Sequence, residues 1–251
     1  MTLQNSVDET ARALIKSRGK AVALTGAGIS VESGIPDFRS AGGLWDKFDP
    51  MEYATIDAFR RDPVKVWEMI HGLEVLLTRA APNPAHLALA QLEQTGLLRG
   101  IVTQNIDNLH QRAGSSRVVE FHGNGQRLRC LSCGAMVQAQ QAGGAGAPPR
   151  CTCGEILKPD VVFFGEQIPQ AALQGATELL EGCEVMLVVG TSATVYPFAS
   201  LPGVVANRGC TLVEMNLEPT GLSPRCDVTL HAPAGTTLTA VVNRVKELLK
   251  E

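Results

Sequence analysis

The chain has 251 residues, a formal net charge of −3, 45% apolar residues and 19% charged residues. A chain this long buries enough surface to fold without disulfides, and this composition excludes collagen-like, coiled-coil and disordered classes. The longest solid apolar run, Val185–Val189, is far short of the roughly 20 residues that span a bilayer. The slightly acidic balance without a basic run argues against nucleic acid as the main partner.

Residues before Lys20 include Asp8 and Glu9 and no run like a signal-peptide core. The expected location is therefore a reducing, cytoplasmic one, away from membranes. There the seven cysteines are thiols or metal ligands, not disulfides.

Ala11, Leu14 and Ile15 recur at helical spacing after Asp8, and Gly19 can end that helix. Ala21 to Leu24 reads as a buried strand running into Thr25-Gly-Ala-Gly28. Residues 44–81 carry Trp45, Phe48, Tyr53, Phe59 and Trp67 on helix-like patterns. Asn83 caps a further helix with Pro84 at its first position, continuing through Leu87, Leu89 and Leu92 to Gly96. Strands follow at Gly100–Thr103 and Arg117–Phe121. Residues 123–158 hold four cysteines and the small-residue stretch Gly143 to Pro149, which reads as a loop tip, with few large apolar groups. Val161–Phe164 reads as a strand, Ala171–Leu180 as a helix, and Val185–Val189 and Thr211–Met215 as strands. Thr237–Lys250 reads as an amphipathic helix. This alternation predicts an α/β fold with a doubly wound, Rossmann-like parallel sheet. Residues 44–81 and 123–158 are expected as insertions into it.

Strand-end motifs carry the chemistry. Gly26-Ala27-Gly28-Ile-Ser30 follows a strand, where glycines let the backbone approach a pyrophosphate. The usual third glycine is absent, because Val31 occupies its place, and no acidic residue ends the next strand about 20 residues on. Both departures disfavour a hydride-transfer dehydrogenase. Gly190-Thr191-Ser192 and Asn216-Leu217-Glu218 end two more strands with groups suited to phosphate and ribose. Asn105 and Asp107 follow another, where turn chemistry alone would also select them. His122, followed by Gly123, stands where a general base near neutral pH is feasible, as is a structural histidine. His86 and His110 lie inside helical patterns and are expected to be structural. Cys130-x-x-Cys133 and Cys151-x-Cys153 supply the four sulfurs of a closed, structural zinc site. Cys183, Cys210 and Cys226 read as small buried residues.

In chain order, Gly26–Ser30, Gly34-Ile-Pro-Asp-Phe-Arg39, Thr103-Gln-Asn-Ile-Asp107, His122-Gly123, the four cysteines, Phe164-Gly-Glu166, Gly190–Ser192 and Asn216 form a set. From about residue 10 to the end, the chain closely resembles the sirtuin family of NAD-dependent protein deacylases. The resemblance implies that NAD is consumed as a co-substrate and that one structural Zn²⁺ is held by Cys130, Cys133, Cys151 and Cys153. It implies an NAD-binding large domain of residues 1–42, 83–122 and 159–251. A helical insertion (43–82) and a zinc-ribbon module (123–158) would form the small domain.

The implied reaction begins when an acyl-lysine oxygen attacks the ribose carbon bearing nicotinamide. His122 then acts as general base on a ribose hydroxyl, and Asn105 helps order ribose and water. The products are nicotinamide, O-acyl-ADP-ribose and free lysine. Ile106 and Asp107 match the carboxamide pocket. Phe38 shields the reactive ribose face, Arg39 lies close to the ADP-ribose, and Asp37, Gln104 and Ala234 complete the implied nucleotide contacts. The peptide would add as a strand between Val162–Glu166, with Phe164 and Gly165, and a segment near Thr194–Phe198. Members that prefer negatively charged acyl groups carry a Tyr and, three residues later, an Arg where this chain has Ile70 and Leu73. Neutral acyl groups, acetyl among them, are therefore expected. The competing readings are a mono-ADP-ribosyltransferase or a lipoyl or long-chain deacylase on the same fold, an idle NAD-binding or zinc module, and a dehydrogenase. A monomer acting on acyl-lysine proteins or peptides is expected.

Overall fold

The computed structural model describes residues 2–37, 43–142 and 147–251. Helix α1 spans Leu3–Lys16. It starts before Asp8 because the Thr2 hydroxyl accepts the Asn5 N–H at 3.3 Å and Val7 is buried. Strand β1 (Ala21–Thr25) follows, then a 3₁₀ turn over Ala27–Ser33. Short helices α2 (Pro50–Tyr53) and α3 (Ile56–Arg61) lead into α4 (Pro63–Arg79). Helix α5 (Pro84–Gln94) starts where expected: Asn83 Oδ1 accepts the Ala85 N–H, and His86 returns a bond to the Asn83 N–H. Strand β2 (Leu98–Thr103), helix α6 (Leu109–Arg112) and strand β3 (Val118–Glu120) complete the first half.

Strands β4 (Gly123–Arg129), β5 (Met136–Gln138) and β6 (Lys158–Val161) form a separate antiparallel sheet in the order β5-β4-β6. Here the expected strand at Val161–Phe164 is corrected. The paired residues come earlier, and Val162 and Phe164 donate to His122 and Ala54 carbonyls instead of a ladder. Helix α7 (Gln170–Leu180), strand β7 (Val185–Val189), helix α8 (Leu201–Ala206) and strand β8 (Thr211–Asn216) follow. Strand β9 (Val228–His231), which the sequence reading omits, precedes α9 (Ala234–Leu248).

The main sheet is parallel throughout, in the order β3-β2-β1-β7-β8-β9. Its strands are apolar because both faces are covered. Alternate residues such as Ala23, Ile101, Leu187 and Val213 pack with α1, α5 and α9. The intervening Val22, Val102, Met186 and Leu212 pack with α7, Phe198 and Val205. The strand order reverses between β1 and β7, and that switch point is where an open α/β sheet binds ligands. The small lobe has its own core. Trp67, fully buried, donates its indole N–H to the Leu157 carbonyl at 2.9 Å, which joins α4 to the cysteine-bearing segment.

Candidate active site

At the switch point the loops after β1 and β7 cross with no room for side chains. Gly28 donates its N–H to the Gly190 carbonyl at 2.8 Å. A Cβ on Gly28 would lie 2.8 Å from Gly190 Cα, and one on Gly190, whose φ is +59°, would lie 2.3 Å from the Ile29 nitrogen. A Cβ on Gly26 would meet the Thr191 side chain at 2.7 Å. These glycines are therefore fixed by backbone–backbone contact as well as by anything that binds there.

A polar network lies beside this crossing. Ser30, 1% exposed, donates to Asp107 Oδ2 at 2.6 Å and accepts from Asn105 Nδ2 at 3.1 Å. Asn105 Nδ2 also reaches the Gly26 carbonyl at 3.1 Å, and the other Asp107 oxygen accepts the Leu109 N–H at the start of α6. Gln104 donates to Thr191 Oγ1 at 2.7 Å, and Asn216 Nδ2 reaches the Thr191 carbonyl at 3.3 Å. The loops after β1, β2, β7 and β8 are thus tied into one edge. Glu32 caps α9 by accepting the Gly235 N–H at 2.7 Å, so the helix start beside Ala234 is fastened to the first loop. Ser192, Leu217 and Glu218 are exposed, Ala27 and Ile106 are half-buried, and Asp37 accepts the Leu44 N–H through its carbonyl. The expected roles of Phe38 and Arg39 lie outside the described residues.

Beneath this edge the structure supplies support that sequence reasoning missed. The Thr25 hydroxyl bonds Thr103 Oγ1 at 2.8 Å and His110 Nε2 at 2.9 Å, while Thr103 Oγ1 accepts the Asn105 N–H at 3.0 Å. The His86 and His110 rings meet with centroids 4.9 Å apart, tilted by 58°, both buried. Burial pushes the His86 imidazole down to about 4, against an opposing pull from Asp107, and the His110 imidazole down to about 3. Both are neutral at pH 7 and lie directly under the site, His86 near Ser30 and His110 on Thr25. Threonines at strand ends are too common to signal this.

His122 lies between β3 and β4, half-buried against the rings of Phe121 (5.6 Å) and Phe198 (6.0 Å). Burial lowers its pKa, partly opposed by its hydrogen bond to the Gln104 carbonyl. One ring nitrogen donates there, which leaves the other as a lone-pair acceptor. Gly123 is obligatory, with φ +83° and a Cβ position only 2.0 Å from the Asp160 carbonyl oxygen.

In the small lobe the sulfurs of Cys130, Cys133, Cys151 and Cys153 lie within 4.8 Å of one another, with Cys130–Cys153 at 3.5 Å and Cys133–Cys151 at 3.6 Å. A tetrahedron with Zn–S of about 2.3 Å has edges of about 3.8 Å. The four cysteines are positioned to bind one zinc ion. Gly134 and Gly154, at φ +76° and +96°, turn the two knuckles.

Of the expected peptide segment, Phe164 is exposed, its N–H bonds the Ala54 carbonyl and its own carbonyl accepts the Ile56 N–H. Val162 is half-buried, and Gly165 takes φ +84°. Glu166 turns inward, accepting the Phe163 N–H at 2.7 Å and pairing with buried Lys158 at 2.9 Å. Lys158 also stands 4.4 Å over the Phe163 ring. Ile70 is buried and Leu73 partly buried in the small-lobe core with Phe59, Met69 and Phe163. Arg60, Arg61 and Arg79 are exposed and stay out of that core.

With this geometry in hand, the comparisons with known proteins agree on a class. The family model described as the Sir2 family matches residues 26–197. A protein of Pyrobaculum aerophilum named NAD-dependent protein deacylase 2 is 46% identical over 238 residues, covering 94% of this chain and 95% of that protein. A crystal structure of a Sir2 homologue in complex with NAD is 42% identical, with a TM-score of 0.88 over 95% of this chain and 94% of its own. A Sir2 structure bound to a myristoylated histone peptide is 37% identical, with a TM-score of 0.82 over 98% of each chain. The chain belongs to the Sir2 family. Among its described residues no helix is long and apolar enough to cross a membrane.

Proposed function

We propose that this chain is an NAD-dependent protein-lysine deacylase that releases nicotinamide, O-acyl-ADP-ribose and free lysine. One observation carries the reading. A desolvated neutral histidine, His122, is hydrogen-bonded to the loop that presents Asn105, and Asn105 is locked to the glycine crossing where a dinucleotide would lie. NAD enters as a substrate, supported by the NAD complex of the Sir2 homologue. Gly26, Gly28 and Gly190 leave the backbone open to its phosphates, while Gln104, Thr191 and Asn216 line the same edge. Ser30 and Asp107 hold the carboxamide side of the pocket through the bond between them.

In the proposed mechanism His122 takes a proton from a ribose hydroxyl, which then attacks the carbon of the acyl group already joined to ribose. A base held neutral by aromatic walls suits this step at pH 7. Asn105 orders the ribose and the water that completes the release. The two-lobed division follows: residues 1–42, 83–122 and 159–251 bind NAD, while 43–82 and 123–158 form the small domain. Ile70 and Leu73 would line an acyl channel without a cation, favouring acetyl and other neutral groups. The neighbour's myristoylated histone peptide supports acylated peptides as substrates. Free thiols and a four-cysteine zinc site suit a reducing, cytoplasmic setting. The test is incubation with NAD and acetyl-, butyryl-, myristoyl- and succinyl-lysine peptides, with products read by mass spectrometry. O-acyl-ADP-ribose from the neutral peptides is expected. An ADP-ribosylated peptide, or no NAD consumption, would overturn the reading.

A further inference from the structure

Three of the seven thiols lie outside the zinc cluster, and two of them face each other. Cys183 precedes β7 and Cys210 precedes β8, the adjacent strands that pair from Val185 and Thr211 onward. Their sulfurs are 3.6 Å apart, and the side chains are 8% and 5% exposed. Val22, Leu180, Met186 and Leu212 belong to the same apolar cluster, with Arg99 near Cys183 and Asp227 near Cys210, and the Cys183 thiol donates to the Val185 carbonyl at 3.2 Å. Among the described residues no third histidine, cysteine or carboxylate joins the pair as a metal ligand, so a soft-metal site is unsupported. The remaining thiol, Cys226, points to the Leu222 carbonyl at 3.5 Å.

We propose that Cys183 and Cys210 form a reversible disulfide that staples the entry ends of β7 and β8, at the sheet edge opposite the nucleotide crevice. Closure shortens the gap from 3.6 Å to about 2.05 Å, between two side chains already in contact. The oxidant class is a peroxide. The Cys183 thiol gives its proton to solvent and its thiolate attacks one peroxide oxygen; the O–O bond breaks, the departing hydroxide takes a proton back, and a sulfenic acid and one water result. Cys210 sulfur then attacks the sulfenic sulfur, the S–S bond forms and a second water leaves. Two thiols are oxidised by two electrons and one hydrogen peroxide is reduced to two waters. Either sulfur can be the donor in the contact between them, and the two roles can be exchanged; Arg99 favours negative charge on Cys183.

The closed loop would contain β7, the Gly190–Ser192 turn and α8. It restricts the unfolded chain, with the bridge itself at the ends of β7 and β8 away from Gly190 and Asn216. The test treats the zinc-loaded protein with rising hydrogen peroxide, follows zinc release with a chromophoric chelator, then alkylates under denaturing conditions and maps the peptides. Expected is a Cys183–Cys210 linked pair, two hydrogens lighter and reversed by dithiothreitol, formed before zinc is released. Tm should rise on the order of 5 °C. Cys183→Ser and Cys210→Ser should each abolish the link and the Tm rise, with deacylation in reductant unchanged. Free, alkylated Cys183 and Cys210 at every peroxide level up to zinc release, or a link from Cys183 to Cys226, would overturn the proposal. That mapping is made on the wild type, so it stands even where a variant folds poorly.

Discussion

The two lobes reach order by different means. The large lobe buries two apolar layers on a six-stranded sheet, and its site rests on backbone crossings and hydrogen bonds shared by four loops. The small lobe has a three-stranded sheet of short strands and one modest core around Trp67, with two cysteine knuckles at its edge. The first is held by burial and tolerates little at its glycines. The second has four sulfurs placed to hold a metal and tolerates little there. A substitution should therefore fail locally, and in a different way, depending on its lobe.

Removing zinc should have the largest effect. Structural zinc contributes about 10–16 kcal/mol of binding free energy in small domains, more than the small-lobe core can replace. Chelation, or Cys130→Ala, should melt the small lobe and abolish deacylation while the large lobe keeps its helices. Hydrogen exchange resolved by segment would read this, and protection lost equally in both lobes would break the comparison.

Gly190→Ala strikes the opposite lobe. A Cβ 2.3 Å from the Ile29 nitrogen at φ +59° combines backbone strain with overpacking, up to about 6 kcal/mol. NAD binding should fail before the zinc site does, as urea denaturation and calorimetric titration with NAD would record.

Acid should also act through the large lobe. His86 and His110 titrate near 4 and 3 when folded, below the ordinary histidine value of 6.5. Between pH 6.5 and those values the unfolded chain binds protons that the folded chain does not, so stability falls as pH falls. From pH 7 to pH 5 each group removes about 2 kcal/mol. The double variant His86→Gln with His110→Gln should flatten that slope, and an unchanged slope would remove the histidine pair from the account.

The smallest effect is on acyl choice. An apolar face at Ile70 and Leu73 should disfavour succinyl-lysine by about a hundredfold, and Ile70→Tyr with Leu73→Arg should reverse much of that. Comparing kcat/KM for acetyl- and succinyl-lysine peptides checks it. Efficient wild-type desuccinylation would mean that Ile70 and Leu73 do not line the acyl channel or that another arginine reaches it.

Much of this was legible because local chemistry left a mark. The four cysteines declare a metal by spacing, Asn83-Pro84 declares a helix start, and Gly28 marks a turn after a strand. Other features depend on distant partners. Gly28 needs its glycine partly because Gly190 crosses it, 162 residues away in sequence. Glu32 caps a helix that starts some 200 residues later. Strand β9 hides because Thr229 and His231 dilute a four-residue run. Val162–Phe164 looks like a strand by composition, whereas pairing falls on Lys158–Val161, where β4 is available. The support from Thr25, Thr103, His86 and His110 is invisible to any local pattern, since each residue is ordinary where it stands.

The central claim is that His122 acts as the base after the nicotinamide bond has broken. One preparation of His122→Ala, compared with wild type on an acetyl-lysine peptide, tests it by measuring both deacetylation and exchange of labelled nicotinamide into NAD. The account predicts a folded, zinc-loaded variant whose deacetylation falls roughly 10²–10⁴-fold while nicotinamide exchange persists. Near-normal deacetylation by that variant would contradict it.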